Sequence, residues 1–501
     1  MRLQRNAPAP MLRLVRRSQP RSSPATRAVV RWLGALSLAA LAGCPAPSKP
    51  STGAGAPPDP RQVLAHVGAA SQAFATVQSL TDQVGARPAG SDAYARAVAW
   101  GLLRMHDFGL AAVHAEDVKV TPWERLAEHG AVVAPVPQPL MLTALGGSVA
   151  TPEGGLEGEV VAVDTLDALA ALPDERVRGK IALVDVETRK TKDGSGYGKA
   201  VGARSDGPSI AAKKGAIGYL VRSIATSTTR LPHTGALYYE EGAPKIPAAA
   251  LAVPDAQMLH RLVDAAGPVR VRLVLDCRDG QPRNDANVIG DVLGREHPEQ
   301  IVLIGAHLDS WDLGRGAIDD GAGVAIVLEA ARRIQALPTR PRRTLRVVLF
   351  ASEERGIDGA LAYAAAHAAE LPRHVLALES DLGGGRVWTV EYLGGPKMGA
   401  TMDDLVAPLG ALGVRGSKQG EYFGADISPL RLAGVPQVDL HQDATLYFDH
   451  HHSADDTLDK IDPKALEQAA TALAVFAYGA ADALDAAADF GRVPDDERGK
   501  K

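Results

Sequence analysis

From residue 286 to residue 378 the chain alternates short apolar runs of β type with helical stretches of about ten residues or more. That rhythm restricts the fold more than any other feature. Strands are expected over 286–292, 301–304, 344–350 and 375–378, with helices over 323–335 and about 359–370. Successive parallel strands need a crossover of a dozen or more residues, which a helix supplies, so the expectation is a largely parallel sheet with helices on both faces. The segment 355–373 reads as a solvated helix from its charge and alanine content.

Upstream the pattern changes. Residues 61–123 carry helical periodicity, a break at Gly85-Ala86-Arg87-Pro88-Ala89-Gly90-Ser91, a helix capped by Ser91, and a strand over 111–120. Between 124 and 279 come short β runs at 131–133, 140–142, 159–163, 180–184, 218–221 and 269–275, with Gly and Pro turns and two short helical pieces. Because α/β signals flank it, this segment reads as an inserted β-rich domain dividing a catalytic domain into 61–123 and 280–488. Neither its strand at 180–185 nor its helix at 210–216 holds a cluster of His, Cys or paired acids, which suits shaping or covering a site rather than performing chemistry.

The first 43 residues read as a secretory signal peptide: arginines without acids, an apolar core at 32–40, then Leu41-Ala42-Gly43-Cys44. The last four resemble a bacterial lipobox, which implies cleavage before Cys44 and lipidation of its thiol. A tether rich in Pro, Gly and Ser follows over 44–60. The expected location is the bacterial cell envelope, lipid-anchored through Cys44. Pro45 in place of an Asp points to the outer membrane, with a periplasm-facing or secreted form as the alternatives. Besides Cys44 only Cys277 remains, so no intramolecular disulfide is expected among the rest. The charged end, 489–501, reads as a disordered tail. A net charge of -5 gives no reason to expect a nucleic-acid partner.

Chemistry concentrates where apolar runs end. His307, Asp309, Asp312, Asp319 and Asp320 follow 301–304; Glu353 and Glu354 follow 345–350; Asp381 follows 375–378; His450, His451 and His452 precede Asp455-Asp456-Thr457. Singly, each group has an ordinary explanation, such as an acidic first turn or an N-cap. In order, each at a strand end, they can converge on the crevice at the carboxyl edge of one sheet. Mixed His and carboxylate donors suit zinc or a similar divalent cation, and one carboxylate can bridge two ions. Two such sets are available in His307 and His452, Glu354 and Asp381, with Asp319 shared. Glu353 is then placed as the base for a metal-activated water.

These residues resemble the dizinc aminopeptidase and glutamate carboxypeptidase family of metallopeptidases. The family pattern is matched by His307-Leu308-Asp309, Asp319-Asp320-Gly321, Glu353-Glu354, Asp381 and His452 ahead of Asp456-Thr457. The plasma-type glutamate carboxypeptidase branch is similar further at His307 to Asp312, Pro232-His233-Thr234-Gly235, Pro244-Lys245-Ile246-Pro247 and Trp123-Glu124-Arg125. The resemblance covers about 80–480. It implies an α/β/α sandwich with a mixed sheet, an inserted protease-associated domain, two zinc ions, exopeptidase action on dipeptides or short peptides with free ends, and a homodimer. It places His307 and Asp381 on one zinc, Glu354 and His452 on the other, Asp319 between them, Glu353 as base and Asp309 behind His307. The segment 420–427 matches only loosely, with Tyr422 and Phe423 where smaller or polar residues are expected. Glutaminyl-cyclase-like acyl transfer and a non-catalytic binding lipoprotein are the alternatives on the same scaffold.

Overall fold

The computed structural model describes residues 59–65, 71–483 and 490–499. The expected signal peptide, Cys44 and all but the last two residues of the expected tether lie outside them. Two eight-stranded sheets organise the rest. The first runs, in spatial order, Ala111–Val120, Arg283–Val292, Arg343–Phe350, His297–His307, His374–Glu379, Gln437–Gln442, Val387–Leu393 and Ser417–Gln419. Its four central strands, from Arg343–Phe350 to Gln437–Gln442, are mutually parallel. Arg283–Val292 pairs antiparallel with both neighbours, as does Val387–Leu393 with Gln437–Gln442, so the sheet is mixed.

Period-two alternation sets the layers. Val302, Ile304, Val347, Leu349, Leu376 and Leu378 enter one core with the helices Ala73–Gln83, Asp92–Asp107, Ala322–Gln335 and Pro463–Asp482. Ile301, Leu303, Val348, Phe350 and Ala377 enter another, with Ala360 and Tyr363 from Asp358–Ala366 and Leu430 from Ser428–Leu432. Successive side chains of a strand point to opposite faces, so a strand buried on both faces is apolar throughout. The result is three layers, α/β/α.

Between the first and second strands of that sheet in chain order, residues 123–279 build the second sheet. Its order is Gln138–Leu140, Trp123–Ala134, Arg270–Asp279, Leu156–Val163, Ile181–Val184, Gly218–Arg222, Ala248–Leu251 and Leu142–Ala144. The segment carries more helix than its sequence suggests: six helices, four of them of four to six residues. Short helices bury too few residues to leave a periodic trace.

Two further expectations change. The segment 355–373 is not one solvated helix: it is helical over Glu353–Gly356 and Asp358–Ala366, and Gly359, Ala360 and Tyr363 are buried. The end of the chain is not wholly disordered. Phe490 and Val493 are buried, and Arg431 donates to the Glu497 carbonyl from within the catalytic part. Two apolar residues anchored this tail, and its charge masked them. Cys277 is free and buried.

Candidate metal centre

The parallel strands bring their carboxyl ends to one edge. His307 ends its strand beside Phe350, and Asp381 follows the end of the neighbouring strand at Glu379. Glu353 and Glu354 open a helix just past Phe350. Ser352 before them has φ 61, in the left-handed region, and this turn lets both following amides donate to one carboxylate. Glu353 N lies 3.1 Å from Asp309 Oδ1 and Glu354 N lies 3.3 Å from Asp309 Oδ2. Asp309 therefore holds the Glu353-Glu354 turn. His307 Nδ1 sits 3.2 Å from the Asp309 carbonyl oxygen and 3.6 Å from its carboxylate, so the main chain shares in orienting the ring.

Asp319 lies between two histidines. Its Oδ1 is 3.3 Å from His307 Nε2, and its Oδ2 is 3.2 Å from His452 Nε2. His307 Nε2 also meets Asp381 Oδ1 at 3.5 Å, and His452 Nε2 meets Glu354 Oε2 at 2.9 Å. The five expected donors thus fall into two pairs about a shared carboxylate. Among the three consecutive histidines, His452 alone touches both Asp319 and Glu354. His450 turns to Asp455 at 3.3 Å, and His451 stacks on His452 with ring centroids 3.5 Å apart. His452 has φ 62, a strained conformation for a residue with a side chain.

Several buried oxygens here lack a hydrogen-bond partner among the described residues: Asp319 Oδ2, Asp320 Oδ2, Glu354 Oε1 and Asp381 Oδ1. Burying unpartnered carboxylate oxygens is costly unless a cation joins them. Donor atoms of Asp319, His451 and His452, of His307, Asp320 and Asp381, and of His307, Asp319 and Glu354 lie within 4.8 Å of one another. A nitrogen and oxygen donor set of this kind fits a divalent cation such as zinc. Asp320, unassigned from sequence, and His451 stand beside the expected five; Asp320 Oδ1 accepts from Gly323 N at 2.9 Å. Gly323 itself is required, because a Cβ there would lie 1.9 Å from the Ser380 carbonyl.

The electrostatics follow from crowding. Burial works against the His307 cation, but Asp309, Asp319 and Asp381 overcome it and hold His307 well above the usual imidazole range. The same contest leaves His452 raised to about 9, with Glu354 and Asp319 responsible. Burial pushes Glu354 up to about 7 and Glu353 well above its ordinary value, and neighbouring carboxylates add to both. His451, buried against the His452 cation, is lowered well below the imidazole range.

Further residues, of which Arg87 and Tyr447 carried no evident signal, complete the frame. Arg87 is fully buried and donates to the carbonyls of Leu308, Arg315 and Gly316, tying the His307 strand end to the loop that leads to Asp319. Asp456 Oδ1 accepts from the amides of Ala317 and Ile318 at 2.8 and 2.7 Å, on the same loop. Asp456-Thr457 marked register in the sequence; here it is a support. The Tyr447 hydroxyl donates to Asp319 Oδ1 at 2.9 Å. Asp312 forms a two-point pair with Arg125, at 2.9 and 3.1 Å, joining this loop to the inserted segment. Arg87→Met leaves the buried Leu308 carbonyl without a donor and removes one donor each from Arg315 O and Gly316 O, the latter still accepting from Gly321 N. It is expected to destabilise the metal-free protein by about 1 to 3 kcal/mol in denaturant unfolding, the cost of leaving one such buried group unsatisfied. A loss under about 1 kcal/mol would contradict the framing role, since that is less than one such group costs.

Beside the donors lies a cavity of about 740 Å³, lined by Glu353, Glu354, Asp381 and His452 together with Tyr197, Arg204 and Tyr238 of the inserted segment. Tyr422 stands exposed at its wall, while Phe423 packs into the core.

Comparison with known proteins agrees with this geometry. The model of peptidase family M28 matches residues 287–477. Mouse carboxypeptidase Q is 36% identical over 404 residues, covering 80% of this chain and 84% of that protein. The human protein of the same name is 35% identical, covering 83% and 86%. The structure of a peptidase M28 precursor from Shewanella amazonensis is 42% identical, with a TM-score of 0.83 over 84% of this chain and 96% of that one. An aminopeptidase from Aneurinibacillus sp. strain AM-1 shares the fold at 21% identity, with a TM-score of 0.59 over 84% and 95%. With more than four-fifths of carboxypeptidase Q matched at over a third identity, and side chains that could hold a divalent cation gathered at one sheet edge, the chain belongs to peptidase family M28 and is a metallopeptidase.

Proposed function

We propose that the chain is an exopeptidase that cleaves dipeptides or short peptides with free ends and holds two zinc ions. His307 and Asp381 would bind one ion, Glu354 and His452 the other, and Asp319 both. The observation that carries this reading is the split of Asp319, whose two oxygens face different histidines at 3.3 and 3.2 Å. The name carboxypeptidase Q, borne by the curated relatives, supports action at a chain end.

When bound, the ions supply Lewis acidity, polarising the scissile carbonyl and making water easier to deprotonate. Glu353, at the cavity wall beside the donors, takes a proton from the attacking water. The hydroxide oxygen bonds to the carbonyl carbon, the C–N bond breaks, and Glu353 returns the proton to the leaving amine. With Asp381 and Glu354 holding cations, the carboxylate repulsion on Glu353 would ease, favouring its ionised form, the form that can accept a proton. Asp309 keeps Glu353 and Glu354 in register through their amides, and the inserted segment contributes Tyr197, Arg204 and Tyr238 to the cavity lining.

Because His307 and His452 are raised while metal-free, cations must displace protons from both. The sign is that metal affinity rises with pH toward about 9, where His452 loses its proton unaided, and metal uptake at neutral pH releases protons. Titrating zinc into the metal-free protein in weak buffer with a pH indicator checks this; uptake without proton release would contradict the donor assignment. Metal analysis of the active protein, with assays of free-ended against end-blocked dipeptides, tests the whole reading. Fewer than two metals per chain, or equal cleavage of blocked peptides, would refute it. We further place the protein as a homodimer, anchored in the cell envelope through lipid on Cys44; light scattering and membrane fractionation of Cys44→Ala check these points.

A further inference from the structure

Two stretches of the inserted segment, Trp123-Glu124-Arg125 and Pro232-His233-Thr234-Gly235, supply none of the five donors, yet they close around His452. Thr234 N donates to the His452 carbonyl at 2.9 Å, and Thr234 O lies 3.3 Å from His452 Nδ1. One residue earlier, His233 Nδ1 lies 2.6 Å from the His451 carbonyl. The main chain on both sides of a residue at φ 62 is thus pinned from the inserted segment. A strained backbone persists only where its surroundings over-determine it.

The same contact fixes the ring. His452 Nε2 faces Asp319 and Glu354, so as a metal ligand it keeps its lone pair there and carries its proton on Nδ1. Of the two groups 3.3 Å from Nδ1, Arg204 Nη1 is a donor and Thr234 O an acceptor, so the carbonyl selects the tautomer. Thr234 is 1% exposed and is held in turn by Arg125, whose Nη2 donates to Thr234 Oγ1 at 3.1 Å. The same guanidinium makes the two-point pair with Asp312, on the loop that follows His307. Trp311, next to Asp312, packs in the core of the inserted segment with Ala144 and Ala236, and its ring centroid lies 5.7 Å from that of His452. One arginine therefore spans the loop after His307 and the turn that orients His452.

We infer that Arg125 and Thr234 are positioning residues of the metal centre, and that docking of the inserted segment, through them, sets the His452 ring for its ion. This rests on His452 being a donor, as proposed above. A main-chain carbonyl cannot be removed by substitution, but the side chains that place it can. Valine at 234 keeps the shape of threonine and loses the hydroxyl. Ala144 O would still accept from Arg125 Nη1 at 2.6 Å, and Asp312 would still pair with Arg125, so the substitution strands no buried partner.

The test titrates zinc into the metal-free protein in competition with a chelator, for wild type, Thr234→Val, Thr234→Ser, Arg125→Lys and His452→Ala. The readout is the affinity for the ion that His452→Ala releases. Thr234→Val is expected to weaken that ion about 10-fold or more, the scale on which losing an outer partner of a ligand acts, while the other ion is held as in wild type. Thr234→Ser, which keeps the hydroxyl, should bind as wild type does. Arg125→Lys should weaken the same ion, because one ammonium cannot reproduce a fork that meets Asp312 and Thr234 together. Unchanged affinity in Thr234→Val, equal loosening of both ions in that variant, or as large a loss in Thr234→Ser overturns the inference. If Thr234→Val does not fold, Arg125→Lys against Thr234→Ser decides on the same terms. If His452→Ala keeps every ion, His452 is not a donor, and the proposed ligand set falls together with the inference. If it releases one that Thr234→Val and Arg125→Lys hold as tightly as wild type, the inference alone fails.

Discussion

Replacing Glu353 by glutamine is expected to lower kcat for a free dipeptide by about 10² to 10⁴-fold while bound metal stays at the wild-type level. The amide keeps the size and the cavity position of the carboxylate but cannot accept a proton from water. The main-chain amide of residue 353 still donates to Asp309 Oδ1, so the turn carrying Glu354 remains in place. Metal analysis beside steady-state kinetics separates loss of the base from loss of the ions. A variant that keeps full activity would remove Glu353 from the mechanism. One that loses metal as well would make Glu353 a donor.

Asp319→Ala carries the second large effect. Its carboxylate meets His307 on one side and His452 on the other, and accepts from the Tyr447 hydroxyl. Removing it takes a donor from both halves of the centre at once, so metal content should fall below two per chain. Hydrolysis should fall by at least about 10³-fold, the scale on which losing preorganised charge at a reacting centre acts. Loss of one half alone would instead follow Asp381→Ala or Glu354→Ala. If Asp319→Ala retains two tightly held metals, Asp319 is not shared. The metal-free variant also offers a stability readout. His452 is raised to about 9 in part by Asp319. That raised value stabilises the metal-free fold below the ordinary imidazole range near 6.5 and is lost as pH rises through about 9, so Asp319→Ala should weaken this pH dependence.

Much of the centre was legible because its chemistry sits at strand ends. His307, Glu353, Glu354 and Asp381 each follow an apolar run, and a strand buried on both faces needs such a run. The helix over Ala322–Gln335 was placed within one residue. By contrast, the helices of the inserted segment and the packed tail at Phe490 and Val493 left little periodic trace. Arg87 was visible only as part of a break between helices; nothing local distinguishes a buried arginine that binds three carbonyls from an exposed one. Arg204 sits in a stretch without a cluster, and it acquires its environment from His452, some 248 positions away.

By itself the sequence determined the α/β alternation and supplied the candidate donors, because burial periodicity and residue chemistry are local properties of the chain. Tertiary structure decided which oxygen of Asp319 faces which histidine, that His452 rather than His450 or His451 reaches Glu354, that Asp309 holds a turn as well as a ring, and that Arg204 of the inserted segment lines the cavity. Those are relations between groups far apart in the chain, set by the parallel register of the strands and the docking of two sheets, and side-chain chemistry alone does not specify distance.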